Sequence, residues 1–279
     1  MSRRPPAIAM TAMALLLLVG LLGADPPTSP DVTKPPPQEE FLLIPLRIHL
    51  LQADDAPEIH CALKDDDITR ILGKINNIWH NAGIHFVLES LRREPAENVD
   101  RFRLARDLEK NTPAPAGLFR AVLPRDSRQF DGLHIYYIHQ FEVNGIYMGS
   151  DYSIVQETSA LRPVEGGIDE PIPRVSAHEL GHALGLRHRQ DRTNLLASGT
   201  TGTLLNREEV ERARSHAIKV PGVQTFADVL AQAEAAESRG DRAPAALFRG
   251  WLADIPGERA ETTKETTPKA LDEQGESSH

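Results

Sequence analysis

Three histidines and one glutamate in the run His178-Glu179-Leu180-Gly181-His182-Ala183-Leu184-Gly185-Leu186-Arg187-His188 have a spacing that could hold a metal ion and activate water beside it. The spacing has meaning only on a helix. Ser176, Ala177, Leu180, Ala183 and Leu184 suit one, and no proline interrupts the run after Pro173, so a helix is predicted over 174–186. His178 and His182 then stand at i and i+4, about 40° apart around the axis and about 6 Å apart along it, so both rings can reach one ion. Glu179 is turned away by roughly 100°, too far to be a third ligand on that face but well placed beside a bound water. Gly185 sits where the helix should stop, because glycine takes the left-handed conformation without steric cost. The chain can then turn back and bring His188 to the same ion. Three neutral imidazoles leave one tetrahedral position open for water, as a catalytic zinc site requires. Zinc lowers the pKa of such a water from nearly 16 to about 7, and a neighbouring carboxylate can take its proton during attack on a carbonyl carbon. Glu179 is the candidate, and peptide hydrolysis is the reaction implied. With the glycine and third histidine included, chance would produce the pattern in roughly one in ten thousand chains of this length. The competing explanations are an amphipathic helix that happens to carry histidines, and a metal site kept for stability alone.

Residues 178–188 resemble the extended motif of the metzincin zinc endopeptidases, matrixin-like or pappalysin-like, and match it at every fixed position. The resemblance implies that His178, His182 and His188 bind one catalytic Zn2+ and that Glu179 is the general base. It also implies an α+β catalytic domain: a twisted, mixed five-stranded sheet, an active-site helix and a C-terminal helix, with zinc in a cleft between two subdomains. Metzincins place a methionine in a tight turn beneath the metal. Here the corresponding stretch is Thr193-Asn194-Leu195-Leu196-Ala197-Ser198, with Leu196 where the methionine is expected. Leucine conserves that volume, and such swaps usually cost under about 1.5 kcal/mol. The family's substrate binds as an added antiparallel strand along the edge strand before the helix. Gly145, Ile146, Tyr147, Met148 and Gly149 are the candidates for that edge, and a plain hairpin is the alternative. Residues 199–205 would line the pocket for the side chain after the scissile bond, with Gly199, Thr200, Thr201 and Gly202 suggesting an open or mobile wall. Some metzincins also hold structural calcium; Asp151 and Glu157 are the candidate ligands, without a dense oxygen pattern around them.

The rest of the chain supplies elements to position this motif. Phe41 to Gln52 reads as an apolar strand with an edge-tolerated proline, Pro45. Asp65, Asp66 and Asp67 load a helix start, and Ile68, Ile71, Leu72, Ile75, Ile78 and Trp79 form its buried stripe up to Gly83. Further strands are predicted over 84–91, 133–141, 144–150 and 153–156, with a charged helix near 98–110 and another over 206–216. His80, His85, His134 and His139 read as surface or packing residues. After Val220-Pro221-Gly222, two amphipathic helices are predicted over 226–237 and 245–252, with Phe226, Val229, Leu230, Leu247, Phe248, Trp251 and Leu252 as their apolar faces.

A chain of 279 residues with 40% hydrophobic content can bury a sizeable core. Arg3 and Arg4 precede an uncharged, leucine-rich stretch over 5–24, the layout of a signal peptide and hence of a secreted or periplasmic protein. Uncleaved, the stretch would be a membrane anchor. Loss of the two arginines takes the formal charge from -9 to -11, which argues against a nucleic-acid or anionic-membrane partner. The organisation predicted is a signal peptide (1–24), a proline-dense linker (25–40), a catalytic domain (41–218), a helical extension (219–255) and a disordered tail (256–279). The single cysteine, Cys61, cannot form an internal disulfide and reads as a buried or surface thiol rather than an inhibitory ligand. The function read from the chain is an exported zinc metalloendopeptidase acting on protein or peptide. A metzincin-like binding protein without turnover, and a zinc hydrolase of a non-peptide amide such as a cell-wall component, are the alternatives.

Overall fold

The computed structural model describes residues 34–109, 116–149 and 151–255; the predicted signal peptide, most of the linker and the predicted tail lie outside them. The elements in chain order are β1 (Leu42–Gln52), α1 (Asp65–Trp79), β2 (Ile84–Pro95), α2 (Val99–Glu109), α3 (Ala116–Arg120), β3 (Leu133–Ile138), β4 (Gly145–Tyr147) and β5 (Tyr152–Gln156). There follow α4 (Pro171–Ala183), α5 (Arg207–Ala217), β6 (Gln224–Thr225), α6 (Phe226–Arg239) and α7 (Arg242–Ala253). The sheet is mixed, in the order β2-β1-β3-β5-β4, parallel except for β4. The expected five-stranded path is present, and β6 adds a sixth strand antiparallel to the start of β1.

Alternation along β1 explains why it is central. Leu42, Ile44, Leu46, Ile48 and Leu50 face the core shared with α1, α4 and α5, while Leu43 and Leu51 face apolar clusters on the reverse side. β1 is flanked on both sides, so the expectation of an edge strand around Pro45 is corrected. The Leu42 N–H donates towards β2, to Gly83, so alternation turns Pro45 to the other flank. There it falls between β6, which pairs as far as Leu43, and β3, which begins opposite Leu46. A missing N–H breaks no ladder in that gap.

Of the predicted stripe of α1, Ile68, Ile71, Ile75 and Trp79 are buried and Leu72 and Ile78 partly so, and Gly83 closes the turn at φ 62°. The helices after residue 220 cover the reverse face: Val229, Leu252 and Ile255 pack on Phe41, Leu43 and Val87. Leu247, expected on that apolar face, is half exposed. Arg214 of α5 donates to the carbonyls of Glu40, Ala82 and Gly83, tying the helix to the start of the sheet.

A buried polar chain also crosses the reverse face. His134 Nε2 lies 3.0 Å from the Phe130 carbonyl, which can only accept, so His134 Nδ1 must accept from His49 Nε2, also 3.0 Å away. His49 Nδ1 therefore presents a lone pair to the Glu94 carboxylate at 3.1 Å, and one proton is required between them. Burial raises the Glu94 pKa against the opposing influence of Ser127 and Arg92, and burial lowers that of His49 to about 3, so Glu94 takes the shared proton more readily than His49. A carboxyl group with a raised folded pKa stabilises fully below its unfolded pKa and loses that contribution as pH rises through the folded value. Unfolding free energy is expected to fall with rising pH above about 4.3. Glu94→Gln, whose amide N–H donates at every pH, should flatten this part of a urea-denaturation pH profile; an unaltered slope would contradict the proton assignment.

Candidate metal centre

The helix that carries the site begins earlier than 174. Pro171 occupies its first turn, where a missing N–H costs nothing. Arg70 and Lys74 of α1 pair with Glu170 at that end, and Lys74 also reaches Asp169 at 2.8 Å. From below, β3 holds the helix through Tyr137, whose hydroxyl lies 2.9 Å from Ser176 Oγ in the core. Adjacent Tyr136 points to the opposite face and meets Ser127.

The helix ends as predicted, at Gly185 with φ 79°. The Gly185 N–H donates to His182 and the Leu186 N–H to Gly181, the two bonds of a Schellman motif. This turn aims the Leu186 carbonyl at His182 Nδ1, 3.0 Å away, and returns the chain to His188. A Cβ at residue 185 would also lie 2.6 Å from the His216 ring.

The three imidazoles converge. His182 Nε2 lies 3.1 Å from both His178 Nε2 and His188 Nε2. His178 Nδ1 faces the Leu195 carbonyl at 2.8 Å, as His182 Nδ1 faces that of Leu186, so hydrogens on these Nδ1 atoms leave Nε2 lone pairs directed at one volume. Lone pairs so close repel unless a cation lies between them. Tetrahedral zinc with nitrogens at 2.0–2.1 Å would set them about 3.4 Å apart, so the donor set fits that ion. Burial, then the Arg174 charge, lowers the His178 pKa to about 3, and burial lowers that of His182, which keeps both rings neutral as ligands must be.

Glu179 is 5% exposed, and burial pushes its pKa up to about 8 against a hydrogen bond from the Tyr147 backbone and the Arg174 charge. β4 is the edge strand next to it. A Cβ at Gly145 would lie 2.6 Å from Val175 Cγ1 and 2.8 Å from Glu179 Oε1, so only glycine allows this approach. The Tyr147 ring stacks on His182 at 6.5 Å. A cavity of about 780 Å3 runs from β4 past Glu179 and the histidines to Ser198 and Gly199.

Of the five residues predicted for the substrate edge, Gly145, Ile146 and Tyr147 line this cavity and form β4. Met148 and Gly149 do not line it: Met148 packs on the reverse-face cluster and its N–H donates to Tyr152, while Gly149, at φ 71°, makes the hairpin turn. Leu196 is fully buried beneath the helix, its Cδ1 3.4 Å from where a Cβ on Gly181 would stand. The open wall expected at 199–202 is a tied loop. Thr200 and Thr201 are buried, Gly199 and Thr201 bond the backbone of Arg162, and Thr201 Oγ1 accepts from Val164. A Cβ on Gly202 would lie 2.4 Å from the Thr193 backbone, so this glycine serves close packing. Asp151 and Glu157 stand at opposite ends of β5, roughly 20 Å apart along an extended strand, and do not share a calcium ion. Glu157 instead binds the Ala62 N–H, His139 and Cys61, whose thiol is buried and pushed up to about 12 by that burial. His85 is buried beside Asn76, and His134 belongs to the reverse-face chain.

Arg174, Asn194 and Glu209 were not singled out by the sequence. Asn194 Oδ1 accepts from the Leu196 N–H at 2.7 Å, and its amide donates to Glu209, which also receives Arg189. The Asn206-to-Glu209 spacing was a legible capping box, but this second use of Glu209 was not.

Residues 118–219 match the matrixin family model. Over those residues the chain is similar to the matrixins, and the histidine triad within them is a donor set that could hold a metal ion. No curated protein sequence matches the chain. Among solved structures, similarity extends to a chaperone–substrate complex (11% identity, 64% of this chain and 35% of that one, TM-score 0.39). It extends also to metalloproteinase-II from Bacteroides fragilis (14% identity, 69% of this chain and 59% of that one, TM-score 0.38). A third is a zinc-dependent peptidase from Methanocorpusculum labreanum (12% identity, 62% of this chain and 99% of that one, TM-score 0.27). The chain thus spans about a third and three fifths of the first two.

The turn at Gly185 yields a direct test. Gly185→Ala should lower the unfolding free energy by at least about 1 kcal/mol, from the left-handed backbone alone, and displace His216. Denaturation at wild-type stability would contradict the role given to Gly185.

Proposed function

We propose that this chain is an exported zinc metalloendopeptidase. The observation that carries the reading is the convergence of three Nε2 lone pairs in a cavity that also holds a buried carboxylate and an edge strand. His178, His182 and His188 would hold the ion. Zinc, when bound there, supplies Lewis-acid activation of water and of the scissile carbonyl. Glu179, kept from solvent, takes the proton from the attacking water and returns it to the leaving amine, so one water is consumed and one acid and one amine are released. The exposed edge of β4 offers main-chain groups to a peptide extended antiparallel to it, next to Glu179. Leu196 fills the floor in the place of a methionine. Arg3, Arg4 and the uncharged stretch over 5–24 support export, to the periplasm or beyond the cell.

Glu179→Ala should leave zinc stoichiometric and lower the rate of peptide-library cleavage by roughly 10²–10⁴-fold, the usual worth of a positioned acid–base group. An unchanged rate would overturn the mechanism. Wild-type protein that holds zinc but cleaves no peptide would favour a binding protein, and release of fragments from peptidoglycan would favour a cell-wall amide as substrate.

A further inference from the structure

Arg174 lies one turn before His178 and is 2% exposed, yet among the described residues it forms no ion pair. A buried charge held without a direct ion pair is costly, and the nearby Glu179 carboxylate acts on it only at a distance. Its guanidinium is instead spread over backbone carbonyls of the loop beneath the helix. Nε donates to Gly202 at 3.0 Å, and Nη2 donates to Ala197 at 2.6 Å and to Asn194 at 3.3 Å. Between the last two lies Leu195, whose carbonyl receives the hydrogen on His178 Nδ1. Nη1 lies 3.2 Å from the same Nδ1, but a guanidinium carries only donors and cannot take Leu195's place as acceptor.

We propose that Arg174 is a positioning residue for the metal site: it clamps the 194–202 loop so that the Leu195 carbonyl fixes the tautomer and orientation of His178. The proposal rests on the triad being a zinc site. Lysine cannot substitute, because one ammonium cannot reproduce a planar fork reaching three carbonyls. Arg214 supplies an internal control, since it ties three carbonyls in the same way, at Glu40, Ala82 and Gly83, and none belongs to the 194–202 loop.

The test compares Arg174→Lys, Arg174→Met and Arg214→Lys in the full chain. It reads zinc affinity by competition with a chromophoric chelator, the visible spectrum of the Co2+-loaded protein, and thermal stability. Both Arg174 variants should bind zinc about 10–100-fold more weakly, the usual cost of losing an outer partner of a ligand, and show altered Co2+ bands. Arg214→Lys should lower thermal stability and move neither metal readout. If Arg174→Met does not fold, Arg174→Lys, which retains length and charge, decides the matter. Wild-type affinity and spectrum in a folded Arg174 variant would overturn the proposal. Wild-type protein that takes up no zinc would instead overturn the reading of the triad on which the proposal rests.

Discussion

Three imidazole nitrogens, with that of His182 only 3.1 Å from each of the other two, are an electrostatic liability that a fold must actively maintain. Protonating any of them would relieve the repulsion and destroy the site. Burial opposes protonation of His178 and His182, and carbonyls at Leu195 and Leu186 hold their other nitrogens as donors. The surrounding segments serve this requirement. The Schellman turn at Gly185 delivers one of those carbonyls and the third histidine, while the loop under the helix delivers the other.

That loop is where polar contacts concentrate. Asn194, Arg189 and Glu209 close it against α5, Arg162 and Val164 close it against the segment before α4, and Arg174 reaches it from within the helix. Leu196 is held in position by its own backbone bonds, to the Asn194 side chain and the Arg189 N–H, as well as by packing against the helix. On the other wall, Gly145 permits β4 to lie against Glu179, so one edge strand supplies both a candidate peptide-binding surface and a cover for the carboxylate.

Much of this was legible in the residues, for identifiable physical reasons. The i, i+4 and i+10 spacing of the histidines, the glycine at the helix end, the acidic start of α1 and the alternation in β1 are local patterns, and local geometry enforces them. Tertiary partners were not legible. Pro45 reads as an edge residue, yet it sits in a central strand because two ladders happen to leave a gap beside it. The glycines and threonines at 199–202 read as an open wall, yet they pack tightly because Gly202 meets the Thr193 backbone. Arg174 reads as the polar start of a helix, and nothing local indicates that three carbonyls from residues 20 to 28 positions onward would enclose it.

The central claim is that the three histidines, and no other described set, hold one zinc ion with an open position. X-ray absorption at the zinc edge of the purified full chain tests it most directly. The account predicts one equivalent of zinc with three imidazole nitrogens at about 2.0–2.1 Å and one further light-atom ligand, reduced to two imidazoles in His182→Ala. A sulfur ligand, four imidazoles, or an unchanged set of zinc ligands in His182→Ala would contradict it.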